Sequence, residues 1–390
     1  MFLKKPKKQL VAVFDIGSAS VGGLLFYKRE DKKPEILTSA RQLVDYSDKK
    51  QFPLAWKAMR NALDLVAKNI QNGISQKPNM AFCVFSAPWY VPQIKVIKVK
   101  KENPFEITSA LLKEIIEDEA DIFEHHWQSS TDNKKDFFLE KQLLKTSLNG
   151  YEVPKIIGKY ARHLELHTYL SLSMKPLEEK ITENVLNYTQ DRHIFMHSFP
   201  FVLFNVLKNI LDTKEGMVVV DISGEITDVI IIRDNTIKEI SSFPKGENFF
   251  LRRLAGALNI EPDEARSIFL QYKRGELNKA SLPKIKHILG VAGEEWGHSF
   301  KELLKKGAED KFIPSNLYFC GQAGRLKEVY EQISGPSFSD FTILGNPFSV
   351  NFLLSKSLKY YFDFKREPSD REDIFLLVSS LFANHFIKKI

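Results

Sequence analysis

The sequence predicts an α/β fold built twice over, with a small α+β unit inserted into the first copy. Three observations predict it. The apolar run 10–16 (LVAVFDI) closes on Asp15-Ile16-Gly17-Ser18 and is followed by a second strand-like run at 20–27. The same grammar returns at 217–222 (MVVVDI), which closes on Asp221-Ile222-Ser223-Gly224 before TDVIII at 227–232, so duplication is implied. Between the two hairpins, residues 80–178 mix strand and helix patterns in a way that neither hairpin unit needs.

Each element follows in chain order. The first hairpin turns at Gly17 and Ser18, and a third strand is expected at 36–44. From 52 to 70, Leu54, Ala55, Met59, Ala62, Leu63, Val66 and Ile70 recur at steps of three and four, marking an amphipathic helix closed by Asn72-Gly73. Strands are expected at 81–88 and 93–100; the second, QIKVIKVK, alternates apolar and basic residues as a half-exposed strand does. A helix with an acidic face follows at 105–124, then a loop at 127–136, then two strands either side of Asn149-Gly150. A helix at 176–189 and a short strand at 193–196 lead into the second hairpin. The units are therefore expected at 1–79, 80–178 and 179–390.

Composition excludes several classes. With 390 residues, 43% hydrophobic and 27% charged, the chain is neither disordered nor collagen-like. No run approaches the roughly 20 apolar residues that cross a bilayer, and the basic start has no apolar stretch with a cleavage site, so a cytoplasmic location is expected. Cys83 and Cys320 stand far apart in apolar strands and are expected to be reduced core residues. The net charge of +7 permits anionic partners without naming one, and Lys4, Lys5, Lys7 and Lys8 read as a solvated arm. Neither a Gly-x-Ser-x-Gly elbow nor a Gly-x-x-x-x-Gly-Lys-Ser/Thr loop is present. Glu124-His125-His126-Trp127 and the pair His163 and His167 are expected to be polar surface rather than metal ligands.

A phosphate chain needs closely spaced backbone N–H donors, which small residues expose, and a carboxylate to hold magnesium through its waters. Asp15, Gly17 and Ser18 form one such set, and Asp221, Ser223 and Gly224 a second that could face it. A third segment, 317–330, reads as strand, turn with Gly321 and Gly324, and helix, an arrangement that brings backbone to a ligand at a helix amino terminus. Any one of these turns is ordinary on its own.

Taken together, VFDIGSASVGGLLF, MVVVDISGEITDVIII and LYFCGQAGRLKEVYE resemble the two phosphate motifs and the adenosine motif of the actin-like ATPase superfamily. The resemblance runs on through HSFPFVLFNVLKNI and KGENFFLRRLAGALNIEPDEARSIF, and the position of the insertion at 80–178 is similar to that in its FtsA/PilM-like branch. It implies an actin-like (ribonuclease H-like) duplicated fold with ATP and Mg2+ at Asp15, Gly17, Ser18, Asp221, Ser223, Gly224, Gly321 and Gly324, the ion held through water by Asp15 and Asp221. It further implies a scaffold at the inner face of the cell membrane, in cell division or type IV pilus assembly. The partner would be a cytoplasmic peptide of a membrane protein or an FtsZ-like filament, with self-polymerisation open and nucleic acid not expected.

The chain also departs from the pattern. The second motif carries Glu225 and Ile226 where the family has glycine and a hydroxyl residue, and a carboxylate about 4 Å from a triphosphate costs roughly 4 kcal/mol unless it turns outward or holds the ion. The Glu-x-x-Lys of the family reads Arg266-Ser267-Ile268-Phe269, leaving Phe269 to stack on a base. These departures weaken the expectation of ATP binding and hydrolysis. A small-molecule kinase or phosphotransferase of the same fold is the alternative, although no carboxylate base can be assigned. The last segment, 373–390, is expected to be a core helix rather than a membrane-binding tail, so that membrane contact is indirect.

Overall fold

The computed structural model describes residues 8–29, 32–44, 52–130, 136–211, 213–307, 313–321, 326–342, 345–365 and 373–387. The first half opens with β1 (Gln9–Ile16), β2 (Ser20–Lys28) and β3 (Glu35–Leu43), then α1 (Phe52–Gln71) and β4 (Met80–Phe85). The insertion contains β5 (Val91–Glu106), α2 (Ser109–Ser130), β6 (Asp136–Leu148), β7 (Tyr151–Glu152) and β8 (Tyr160–Met174). The chain returns through α3 (Lys175–Leu186), β9 (Ile194–Ser198) and α4 (Phe199–Ile210).

The second half repeats the opening with β10 (Met217–Ile222), β11 (Thr227–Arg233) and β12 (Thr236–Phe243). Helices α5 (Glu247–Leu258), α6 (Pro262–Arg274) and α7 (Leu282–Gly307) follow, then β13 (Asn316–Cys320), α8 (Lys327–Ile333) and β14 (Ser349–Leu353). The short α9 (Ser355–Leu358) and β15 (Asp363–Phe364) lead to the last helix, α10 (Ile374–Phe386).

The two large sheets run β15-β3-β2-β1-β4-β9 and β12-β11-β10-β13-β14. Leaving β15 aside, each is an antiparallel three-strand meander joined through its first strand to two parallel strands. This is the duplication that the hairpins implied. Alternation along the strands divides the core. Val11 and Val13 of β1 face an inner layer with α4 and α10, while Leu10, Ala12 and Phe14 face α1 and α3 on the outside. In β10, Met217 and Val219 join that same inner layer, and Val218 and Val220 face α5, α6 and α7. The inner helices are thus buried from both sides, which is why α10 is apolar nearly all round. Its expected core role holds for the described residues; Lys388 and Lys389 lie outside them, as do Lys4, Lys5 and Lys7.

Two boundaries differ from the sequence reading. Strand β4 pairs in parallel with both β1 and β9, so it belongs to the first sheet, and the insertion's own sheet, β5-β8-β6-β7, starts at Val91 rather than at 80 and ends with β8 at Met174 rather than at 178. Helix α3 packs Leu177, Ile181 and Val185 into the first half. The expected helix at 105–124 starts later, because β5 continues to Glu106 and the Thr108 hydroxyl accepts a bond from Leu111 N at 3.1 Å as an N-cap. It also ends later, at Ser130, so the expected loop at 127–136 is helical at its start.

Candidate functional site

Strands β1 and β10 are central in their sheets, and their carboxyl ends carry Asp15 and Asp221 toward one crevice between the halves. The two turns meet there. A Cβ placed on Gly224 would lie 2.5 Å from Ser18 Oγ and 2.6 Å from Ala19 N, so only glycine lets the turns touch this closely. Glu225 N donates to Ser18 Oγ at 3.2 Å across the contact, and Ser223 Oγ, which donates to Ile226 O at 2.8 Å, lies 3.3 Å from the Ala87 carbonyl.

Two of the backbone donors expected for a phosphate are engaged within the protein. Gly17 N bonds to Ser20 O at 3.1 Å, and Ser223 N to Ile226 O at 3.0 Å. At the start of α5, Glu247 N and Asn248 N bond to the carbonyls of Ser223 and Gly224, both at 2.8 Å. A helix amino terminus otherwise suited to an anion is thereby capped by the turn itself. Glu225 turns outward: its carboxylate accepts from Asn248 Nδ2 at 2.7 Å and from both terminal nitrogens of Arg252 at 2.9 Å. The repulsion anticipated from its sequence position is resolved by that ion pair.

Asp15 is met by a cation that the sequence reading missed. Arg41 Nη2 lies 2.5 Å from Asp15 Oδ2, Nη1 donates to Ser20 Oγ at 2.7 Å, and Nε bonds to Asp373, the residue that caps α10. Burial pulls the Arg41 pKa down, but the carboxylates of Asp373 and Asp15 outweigh it and the guanidinium is held charged. Room for this side chain comes from Gly22, its partner across β2 and β3, where a Cβ would sit 2.6 Å from Arg41 Nη2. The glycine pair inside the strand SVGGLL was the available signal, since glycine in a strand marks close approach.

Asp221 is 1% exposed and neither carboxylate oxygen has a partner. Burial pushes its pKa well above the usual carboxylate range, helped by Asp228 opposite it on β11 and by Asp15. Asp228 accepts from Tyr90 Oη at 2.5 Å and Ser242 Oγ at 2.6 Å, a second pair of contacts that sequence did not indicate. Among the described residues no group of three or more His, Cys, Asp or Glu could hold a metal ion.

The third segment has Gly321 in a left-handed conformation, φ +80°, with its face covered by Phe375, whose ring would be 2.8 Å from an added Cβ. Gly324 lies outside the described residues. Phe269, expected to be free to stack on a base, is instead 1% exposed and packed beside Phe250 at 6.4 Å. His125 and His126 are exposed on α2 as expected, whereas His167 is buried and bonded to Glu165 at 3.0 Å, so only His163 of that pair is a surface residue. Cys83 and Cys320 are free and buried, and burial raises the Cys83 thiol to about 12. No helix among the described residues is long and apolar enough to cross a membrane.

In this arrangement the two turns touch, Gly17 N and Ser223 N are engaged within the protein, Asp15 is paired with Arg41, and Asp221 is buried without a partner.

No protein-family model and no curated protein matches the chain. Among solved structures it is similar to the PilM-PilN type IV pilus biogenesis complex, with TM-score 0.62 and 12% identity over 96% of this chain and 98% of that one. It is also similar to the ethanolamine utilization protein EutJ from Carboxydothermus hydrogenoformans (TM-score 0.48, 13% identity, 97% and 91% covered). The MamK double helical filament gives TM-score 0.48 at 10% identity, with 98% and 99% covered.

Proposed function

We propose that this chain, which has the actin-like fold, is a scaffold that does not turn over ATP and that engages a peptide of a partner within a membrane-associated assembly, on the cytoplasmic side. The observation that carries the reading is the contact between the two turns, with Gly17 N and Ser223 N engaged and Arg41 bound to Asp15. Catalysis of phosphoryl transfer rests on donors and metal ions aimed at the phosphates. Here Gly17 N and Ser223 N bond within their own turns, Arg41 pairs with Asp15 inside the first sheet, and the bond from Glu225 N to Ser18 Oγ joins the two halves. Likeness to the PilM-PilN complex over nearly the full length of both chains is in keeping with a protein partner.

Calorimetric titration of the whole chain with ATP and magnesium tests this. The expected outcome is no saturable binding up to millimolar nucleotide. Saturable binding that Asp15→Ala abolishes would overturn the reading, and ATP turnover that depends on an added sugar or acid would replace it with a phosphotransferase.

A further inference from the structure

The distal end of the inserted unit carries a surface that the crevice does not explain. Strands β5 and β8 pair regularly down to Lys100 opposite His163, and pairing resumes at Phe105 opposite Ala161. Residues 101–104 therefore bow out opposite the single residue Arg162. A bulge of this kind breaks the ladder and redirects the side chains around it. It leaves a cleft of about 480 Å³ lined by Pro104, Asn149, Tyr160, Ala161, Arg162 and His163. The floor is set by Asn149 Oδ1, which accepts from Arg162 N and His163 N, both at 3.0 Å, so the backbone is satisfied and the side chains face out.

Three of the most exposed large apolar side chains among the described residues stand at this end: Tyr151 at 77%, Tyr160 at 64% and Ile157 at 63%. Tyrosine and arginine around a cleft are the residue types that dominate binding energy at protein interfaces. The charge is unbalanced as well. Among the described residues, Lys100, Lys101, Lys155, Lys159 and Arg162 take part in no ion pair. The neighbouring carboxylates are mostly engaged: Glu106 by Tyr160 Oη at 3.2 Å, Glu152 by Lys145 at 2.9 Å, and Glu165 by Lys98 at 3.7 Å.

We propose that this cleft is a docking site for an acidic linear peptide of a partner protein, one apolar side chain entering between Pro104 and Tyr160 and flanking carboxylates meeting Arg162, Lys159 and Lys100. The volume falls in the range of about 300–1,000 Å³ that small ligand sites occupy, enough for a bulky side chain. The inference rests on the scaffold reading in that it supplies its partner. It concerns a surface remote from the crevice, so nucleotide titration and peptide binding fail separately.

The test is selection of a random peptide display library on the whole chain, followed by affinity measurement of the selected peptides on wild type, on Tyr160→Ala/Arg162→Ala, and on Lys159→Glu/Arg162→Glu, all checked for folding by circular dichroism. The result expected is enrichment of Asp and Glu around an apolar residue. Affinity should fall at least about tenfold in both variants, and in wild type should weaken as salt rises. Absence of enrichment, selection of peptides without acidic bias, or binding unchanged in both variants would overturn it. So would binding of single-stranded RNA or phosphatidylserine vesicles that out-competes the peptides and is lost in the same variants.

Discussion

Arg41 is held by two carboxylates far apart in sequence, Asp15 on the first strand and Asp373 at the cap of the last helix. Removing one partner of such a group leaves the others uncompensated. Arg41→Ala should lower stability by about 2 kcal/mol or more in urea unfolding, less than the roughly 3–5 kcal/mol of a fully buried pair because the Arg41 side chain is 28% exposed. Arg41→Lys should restore only part of this, since one ammonium cannot bridge two carboxylates in the geometry of a planar fork. Asp221 makes a prediction of the opposite sign. Its pKa is raised from the ordinary 3.8, so its favourable contribution is complete below that value and is lost as pH rises through the folded value. Asp221→Asn should therefore be more stable than wild type near neutral pH, by about 1 kcal/mol or more, with the advantage shrinking toward about pH 4. Unfolding midpoints at both pH values decide it; a wild type more stable than the variant at neutral pH, and more so with added magnesium, would mean that Asp221 holds a cation.

At the scale of elements, the contact between turns depends on the absence of a side chain at position 224. Gly224→Ala would put a Cβ 2.6 Å from backbone at Ala19, which cannot yield as a flexible side chain would. The cost expected is about 1–3 kcal/mol, read as a lower melting temperature, with faster amide exchange confined to the two turns and the start of α5. Helix α10 holds the inner layer from both sides. Leu377, 1% exposed, contributes to that packing, and Leu377→Ala should cost about 2–5 kcal/mol. Truncation before Ile374 should yield an unfolded chain, seen by circular dichroism, rather than a folded one that has merely lost lipid binding. A folded truncated protein that no longer floats with vesicles would restore the membrane-tail reading.

For the whole molecule, the duplicated sheets make the crevice a joint between two equivalent halves, and Arg41 ties the first sheet to the cap of the last helix beside it. Much of this was legible beforehand. The hairpins at Asp15 and Asp221 and the helix beginning at Phe52 follow from periodicities of two and of three to four residues, which burial imposes locally. The partner of β4 was not legible, because MAFCVF is buried on both faces in either assignment and carries no mark of the sheet it joins. Nor was the burial of Phe269, since an aromatic on a helix reads alike whether it meets Phe250 or a base.

The local order of residues determined the strands, the helices and the placing of two acid-bearing turns in equivalent positions. What only the tertiary structure decided is the state of those turns. Whether a carboxylate is free, paired or neutral depends on burial and on charges brought within a few ångströms from distant segments. Arg41 and Asp373, more than 330 positions apart, meet only when the first strands and the last helix pack on one crevice.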